Sequence, residues 1–63
     1  MMARRKQVGD RVLIRVGVGR ANSENSGLLG TITAYYPHGI PMYAVRVDGV
    51  GGPDLWYAPQ QLL

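Results

Sequence analysis

Hydrophobic and polar residues alternate with a period of two near the start of the chain, in residues 11–16. Val12, Ile14 and Val16 fall on one side of that alternation. Successive side chains of a strand point to opposite faces, so this pattern predicts a half-buried β-strand. We expect these three residues to point into the core and Leu13 to point outward.

Three further segments are predicted to be strands. Residues 28–36 are rich in β-branched and aromatic side chains, which favour strands. Residues 41–48 begin with a proline, which is tolerated at the first position of a strand, and residues 54–58 form a short fourth strand. Glycine, proline and Asp-Gly signals between these segments mark the turns.

Two stretches lack any alternation. Residues 17–27 are rich in glycine, serine and asparagine, which predicts a loop. A loop this long in a small domain is either functional or a plain connector. Residues 59–63 suit a single 3-10 turn, with Leu62 or Leu63 filling one end of a barrel.

Four or five strands in about 55 residues, with no long helix, predict an all-β fold. We expect a small SH3-like barrel of four to five antiparallel strands with a C-terminal 3-10 turn. The chain has 63 residues, which allows one domain. We place that domain at residues 8–63, after a flexible basic arm at residues 1–7.

Charge is distributed unevenly between these two parts. The formal net charge is +3, and Arg4, Arg5 and Lys6 in the arm account for it. The remaining arginines and acidic residues balance one another. Nucleic-acid-binding domains usually cluster their basic residues on a folded face, so this distribution lowers the expectation of nucleic-acid binding.

The chain contains no cysteine and one histidine, His38. Disulfides and thiolate metal sites are therefore excluded, and we expect no metal or other cofactor. The absence of cysteine fits the cytoplasm. No apolar run approaches the roughly 20 residues that span a bilayer, so we expect a cytoplasmic protein without a membrane partner.

Two short resemblances support the barrel. Residues 8–12 (Val-Gly-Asp-Arg-Val) followed by residues 27–32 (Gly-Leu-Leu-Gly-Thr-Ile) resemble the KOW/Tudor-type barrel pattern. Residues 39–48 resemble the small barrel subunit of photosystem I, which implies a barrel that docks in a larger assembly. Both resemblances imply a small barrel with a binding role.

A longer resemblance rests on four segments in order: residues 9–12, 30–32 with 35–36, 43–45 and 55–57. Together they resemble the plasmid-borne type II dihydrofolate reductases, which implies an SH3-like barrel that assembles as a tetramer around one pore. The family's pore motif, Val-Gln-Ile-Tyr, falls on residues 54–57, so only Tyr57 carries over. The pore glutamine falls on Leu55, and the pore lysine falls near Ile14, beside Arg15.

The acid–base candidates are His38, Glu24 and three aspartates, all in predicted turns, loops or strand ends. No spacing suggests a Ser/His/Asp set, and no phosphate-loop or dinucleotide fingerprint is present. We therefore expect no catalytic residues, and we interpret His38 as an exposed turn residue.

The aromatic residues are more informative, because five of them lie in predicted strands. Adjacent aromatic residues must point to opposite faces. Exposed Trp and Tyr are enriched at binding hot spots. The alternative is that the 17–27 loop folds over Trp56 and buries it. The predicted alternation assigns Tyr36, Tyr43 and one of Leu55 and Tyr57 to the core, and Tyr35 and Trp56 to the outer surface.

The main hypothesis is a non-catalytic module that binds a protein partner or another copy of itself as a homo-oligomer. One alternative is a KOW-like nucleic-acid-binding module that uses Arg4, Arg5 and Lys6 with exposed aromatic rings. A second alternative is an oligomeric enzyme like the dihydrofolate reductases. The predicted binding residues of the main hypothesis are Tyr35, Trp56, Leu13, Met42 and Tyr57.

Overall fold

The computed structural model describes residues 6–63, which form four strands and two 3-10 turns. All four predicted strands are present, although the first is shorter than the alternation suggested. The 3-10 turn near the C-terminus was predicted, whereas the turn within the 17–27 loop was not. The elements are β1 (Arg11–Leu13), a 3-10 turn (Ser23–Asn25), β2 (Leu29–Tyr36), β3 (Met42–Val47), β4 (Leu55–Tyr57) and a second 3-10 turn (Pro59–Gln61).

The strands form one antiparallel sheet in the order β1-β2-β3-β4. Each strand pairs with the next along the chain, as expected where connections are short. The all-β prediction is confirmed at this level. β1 and β4 are the two edges, so the four strands form an open sheet rather than a closed one.

The edge of β1 that faces away from β2 pairs with residues 62–63. Leu13 and Leu63 exchange backbone hydrogen bonds, with N–O distances of 3.0 and 2.9 Å. Ile14 and Leu62 form the adjacent antiparallel bridge. Of the two leucines expected to fill one end of the fold, Leu62 has a buried side chain and Leu63 is exposed.

The core lies on one face of the sheet, which we call the inner face. Val12, Ile14 and Val16 are buried there, as their alternation predicted. The core also confirms Tyr43 as an inward residue. The buried cluster consists of Val12, Ile14, Val16, Ile32, Tyr43, Val45, Val47, Tyr57 and Leu62.

The alternation in β2 is interrupted by a β-bulge. Ile32 is opposite Val45, but Ala34 is opposite Ala44, so Thr33 is an extra residue in the register. An extra residue in one strand reverses which face the following side chains occupy. The faces assigned to the rest of β2 from simple alternation are therefore inverted.

This inversion overturns the predicted positions of two tyrosines. Tyr36, expected in the core, is 57% exposed. Tyr35, expected on the outer surface, packs against the core and stacks on Tyr43 with ring centroids 4.7 Å apart. Both predictions were wrong because the sequence pattern contains no sign of the bulge.

Gly30 marks a close approach of β2 and β3 on the inner face. A Cβ atom at this position would lie 2.6 Å from Val45 Cγ1 and 2.8 Å from the Arg46 carbonyl oxygen. Only glycine leaves room for this contact, because the backbone oxygen cannot move independently of the strand.

The 17–27 loop covers Tyr57, not Trp56. Asn25 is buried, and its Nδ2 donates a hydrogen bond to Tyr57 Oη at 3.3 Å. Tyr57 Oη in turn donates to the Asn22 carbonyl oxygen at 3.5 Å. The interpretation in which the loop folds over Trp56 is therefore wrong, and Trp56 is 46% exposed on the outer face, as the main interpretation expected.

Candidate functional site

The outer face of the sheet has a polar end near β1. The Arg11 guanidinium donates to Thr31 Oγ1 at 2.8 Å and to both carboxylate oxygens of Asp48. Arg11 and Thr31 are opposite each other across β1 and β2. The hydrogen bond from Arg11 lowers the pKa of the Asp48 carboxyl below its ordinary value.

A second polar group lies beside it, across β2, β3 and β4. Thr33 Oγ1 donates to Asp54 Oδ2 at 2.6 Å, and Arg46 Nε donates to Asp54 Oδ1 at 3.2 Å. The hydrogen bond from Thr33, with a smaller contribution from Arg46, lowers the pKa of Asp54. This end of the outer face therefore satisfies its charged groups internally.

The other end of the outer face is apolar. Tyr36, Met42 and Trp56 line a surface pocket of about 300 Å³, which we call the aromatic pocket. The Tyr36 and Trp56 rings meet edge to face, with centroids 6.2 Å apart and an interplanar angle of 76°. This arrangement is favourable for aromatic quadrupoles and leaves a wedge between the rings.

The register of the sheet explains how these residues meet. Tyr36 is opposite Met42, and Trp56 is opposite Ala44. The Trp56 indole reaches Tyr36 across β3, and the small Ala44 side chain leaves room for it. Ala44 is only 4% exposed although it lies on the outer face, as expected beneath an aromatic ring.

His38 extends the aromatic pocket toward the β2–β3 turn. Its ring meets Tyr36 edge to face, with centroids 5.4 Å apart. It is exposed, in agreement with its interpretation as a turn residue. The Tyr36 ring is therefore held between His38 and Trp56.

The structure brings together two of the five predicted binding residues, Trp56 and Met42. Tyr36 completes the pocket and was missed, because simple alternation assigned it to the core. Tyr35 lies on the inner side instead. Tyr57 is 1% exposed, so no molecule reaches its side chain in this single chain.

Leu13 lies outside the aromatic pocket. It is half-buried and opposite Leu29 in the β1–β2 register. Leu63, on the other side of β1, and Leu29 are both exposed. These three leucines form a separate apolar row beside the Arg11–Asp48 pair, away from the aromatic pocket.

The predicted nucleic-acid residues lie only partly within the described part of the chain. Arg4 and Arg5 are outside it. Lys6 is half-buried, and its carbonyl oxygen accepts a hydrogen bond from Tyr43 Oη at 3.3 Å. The residue predicted to belong to the arm is therefore bound to the core through its backbone.

Residues 6–63 contain no group of three or more His, Asp or Glu residues that could hold a metal ion. No helix among them is long and apolar enough to cross a membrane.

Comparison with protein-family models gives no match, and neither curated proteins nor solved structures give a significant one. The geometry of the outer face therefore carries the functional argument.

Proposed function

We propose that this chain is a non-catalytic binding module that holds a protein partner in the aromatic pocket. The observation that carries the proposal is the pairing of two half-exposed aromatic rings, Trp56 and Tyr36, around Met42. Exposed Trp and Tyr provide large, rigid contact areas and are enriched at binding hot spots. Met adapts its shape to different partners.

The polar end of the outer face supports this assignment by contrast. Arg11, Asp48, Arg46 and Asp54 already pair with each other. At the apolar end, the Tyr36 and Trp56 side chains remain about half exposed. Covering them with a partner releases water from apolar surface. We therefore place the binding site at the apolar end.

The proposal includes the finer description of the fold as a small SH3-like barrel. The support is the pairing of Leu13 with Leu63, which extends the sheet beyond β1. That pairing acts as a short fifth strand after the second 3-10 turn. It gives the order expected of such a barrel, with the C-terminal residues beside β1.

The test is selection of binding peptides from a displayed library of short random sequences against the immobilised chain. We expect enriched peptides whose affinity falls at least about tenfold with Trp56→Ala, as for a hot-spot residue. Val18→Ala is the matched control, because Val18 is fully exposed in the loop. No enrichment, or equal binding to Trp56→Ala, would contradict the proposal.

Nucleic-acid binding is the second candidate, favoured by the two exposed rings, on which an unpaired base can stack. In residues 6–63, two of the five basic side chains are paired with carboxylates, which leaves a weak electrostatic surface. Arg4, Arg5 and Lys6 would have to provide the phosphate contacts. Binding to a mixed oligonucleotide pool that weakens steeply with added salt would support this candidate.

A further inference from the structure

We propose that the occupant of the aromatic pocket is an extended peptide segment that adds to the sheet as a strand beside β4. This inference rests on the proposed function and specifies the partner. Two features adjoin at Trp56: an aromatic side chain in the pocket and a strand backbone at an open sheet edge. Peptide recognition by strand addition uses both kinds of contact.

The phase of hydrogen bonding in the sheet identifies the free backbone groups. Asp48 N donates to Leu29 O at 2.9 Å, so alternate residues of β3, counted from Asp48, bond to β2. Val45 and Tyr43 therefore direct their backbone groups toward β4. Their partners in β4 are Leu55 and Tyr57.

Trp56 lies between these two residues, so its N–H and C=O point away from β3. No strand among residues 6–63 pairs with this edge of β4, and Trp56 makes no backbone hydrogen bond to the loops described. The open edge ends at Ala58, whose N–H donates to Gln61 Oε1 at 2.9 Å. The backbone N–H and C=O of Trp56 are therefore free to bond to an added strand.

The chemistry of the occupant follows from this geometry. The peptide residue opposite Trp56 exchanges both backbone hydrogen bonds with it, so that residue cannot be proline. Its side chain lies on the outer face beside the indole, because paired residues share a face. An apolar side chain there packs against the Trp56 indole, which forms the β4 side of the aromatic pocket.

The size of the pocket favours a peptide over a second copy of the chain. Fully covering an aromatic side chain buries about 150–250 Å². Because about half of each ring is already covered, the two rings together offer roughly 150–250 Å². A stable interface between folded proteins buries about 800 Å² on each partner, which this surface does not provide.

The test uses the tightest peptide from the library selection, remade with a single N-methyl group at each position in turn. Strand addition predicts one sensitive position: methylation opposite Trp56 weakens binding about threefold to tenfold, the loss of one hydrogen bond. Methylation at the neighbouring positions leaves affinity within about twofold. Saturating peptide also slows hydrogen exchange at the Trp56 amide and leaves the Val18 amide unchanged.

A flat methylation profile, with binding that still depends on Trp56, would overturn strand addition and leave the proposed function intact. Absence of any Trp56-dependent peptide would instead remove the proposed function. A Trp56-dependent doubling of mass in light scattering, without peptide binding, would assign the pocket to a second copy and overturn the inference.

Discussion

Trp56 and Tyr57 are adjacent in β4, but their side chains lie on opposite faces of the sheet. Tyr57 lies in the core of the inner face, whereas Trp56 lies on the open outer face. Tyr57 is 1% exposed, and the 17–27 loop supplies both of its hydroxyl partners. Trp56 is 46% exposed, with no described loop over it. The comparison separates two uses of an aromatic ring: covered rings stabilise the fold, and open rings are available to a partner.

The largest expected effect is on the free energy of unfolding when Tyr57 or Trp56 is truncated to alanine. Tyr57→Ala should cost about 3–5 kcal/mol, a large part of the roughly 3–9 kcal/mol expected for a domain of this length. Trp56→Ala should cost no more than about 1 kcal/mol, because its ring is already half in water. Urea unfolding followed by circular dichroism measures both.

Similar losses in the two variants would contradict the division between the faces. If Tyr57→Ala does not fold, Tyr57→Phe gives the answer instead. It keeps the ring and removes the hydrogen bonds to the loop, so we expect a loss of about 1 kcal/mol.

Glycine substitutions sharpen the picture of a tightly packed inner face. Gly30→Ala should destabilise the chain by about 1–3 kcal/mol, because the added methyl overpacks the contact between β2 and β3. Gly51→Ala is the matched control: it has open space around its Cβ position and no left-handed φ. We expect it to stay within about 0.5 kcal/mol of the original chain in the same unfolding measurement.

An equal effect of both glycine substitutions would show that the close approach of β2 and β3 does not control stability at Gly30. The two outcomes are distinguishable because the control adds the same methyl group in open space.

The smallest expected effect concerns the polar end of the outer face. The pKa of Asp48 is lowered in the folded chain, so its contribution to stability is present above its ordinary value of 3.8 and is lost as the pH falls through the folded value. Arg11→Gln removes the partner and should make unfolding less sensitive to acid between about pH 5 and about pH 2. Thermal unfolding midpoints across that range measure the change.

Arg15→Gln is the control, because it removes the same charge from an exposed residue. An identical reduction of acid sensitivity in both variants would attribute the effect to net charge rather than to the Arg11–Asp48 pair. The pair is exposed on both sides, so its effect on stability is small.

Alternation in residues 11–16 and β-favouring residue types elsewhere were sufficient to predict the strands and most of the inner face. Val12, Ile14 and Val16 obey the alternation and are all buried, although β1 itself ends at Leu13. Tyr35 and Tyr36 do not, because the bulge at Thr33 depends on how β2 registers with β3. Pairing between distant segments is not encoded in the local period.

The candidate site shows the same limit. Trp56 and Met42 were identified from exposure and residue type, which are local properties. Tyr36 was missed because of the bulge, and the coverage of Tyr57 by Asn25 depends on the path of a loop with no periodicity. The free backbone groups of Trp56 become evident only when the hydrogen-bonding phase of the sheet is known.

The pairing of Leu13 with Leu63 has a consequence for how the chain is made. A ribosome delivers β1 first, but the residues that complete its outer edge come near the end of the described chain. The emerging chain therefore has to keep this early strand from aggregating until residues 61–63 leave the exit tunnel. Arg11 and Arg15, on either side of Leu13, carry like charge on exposed side chains, and charged side chains along a strand edge oppose pairing with other chains.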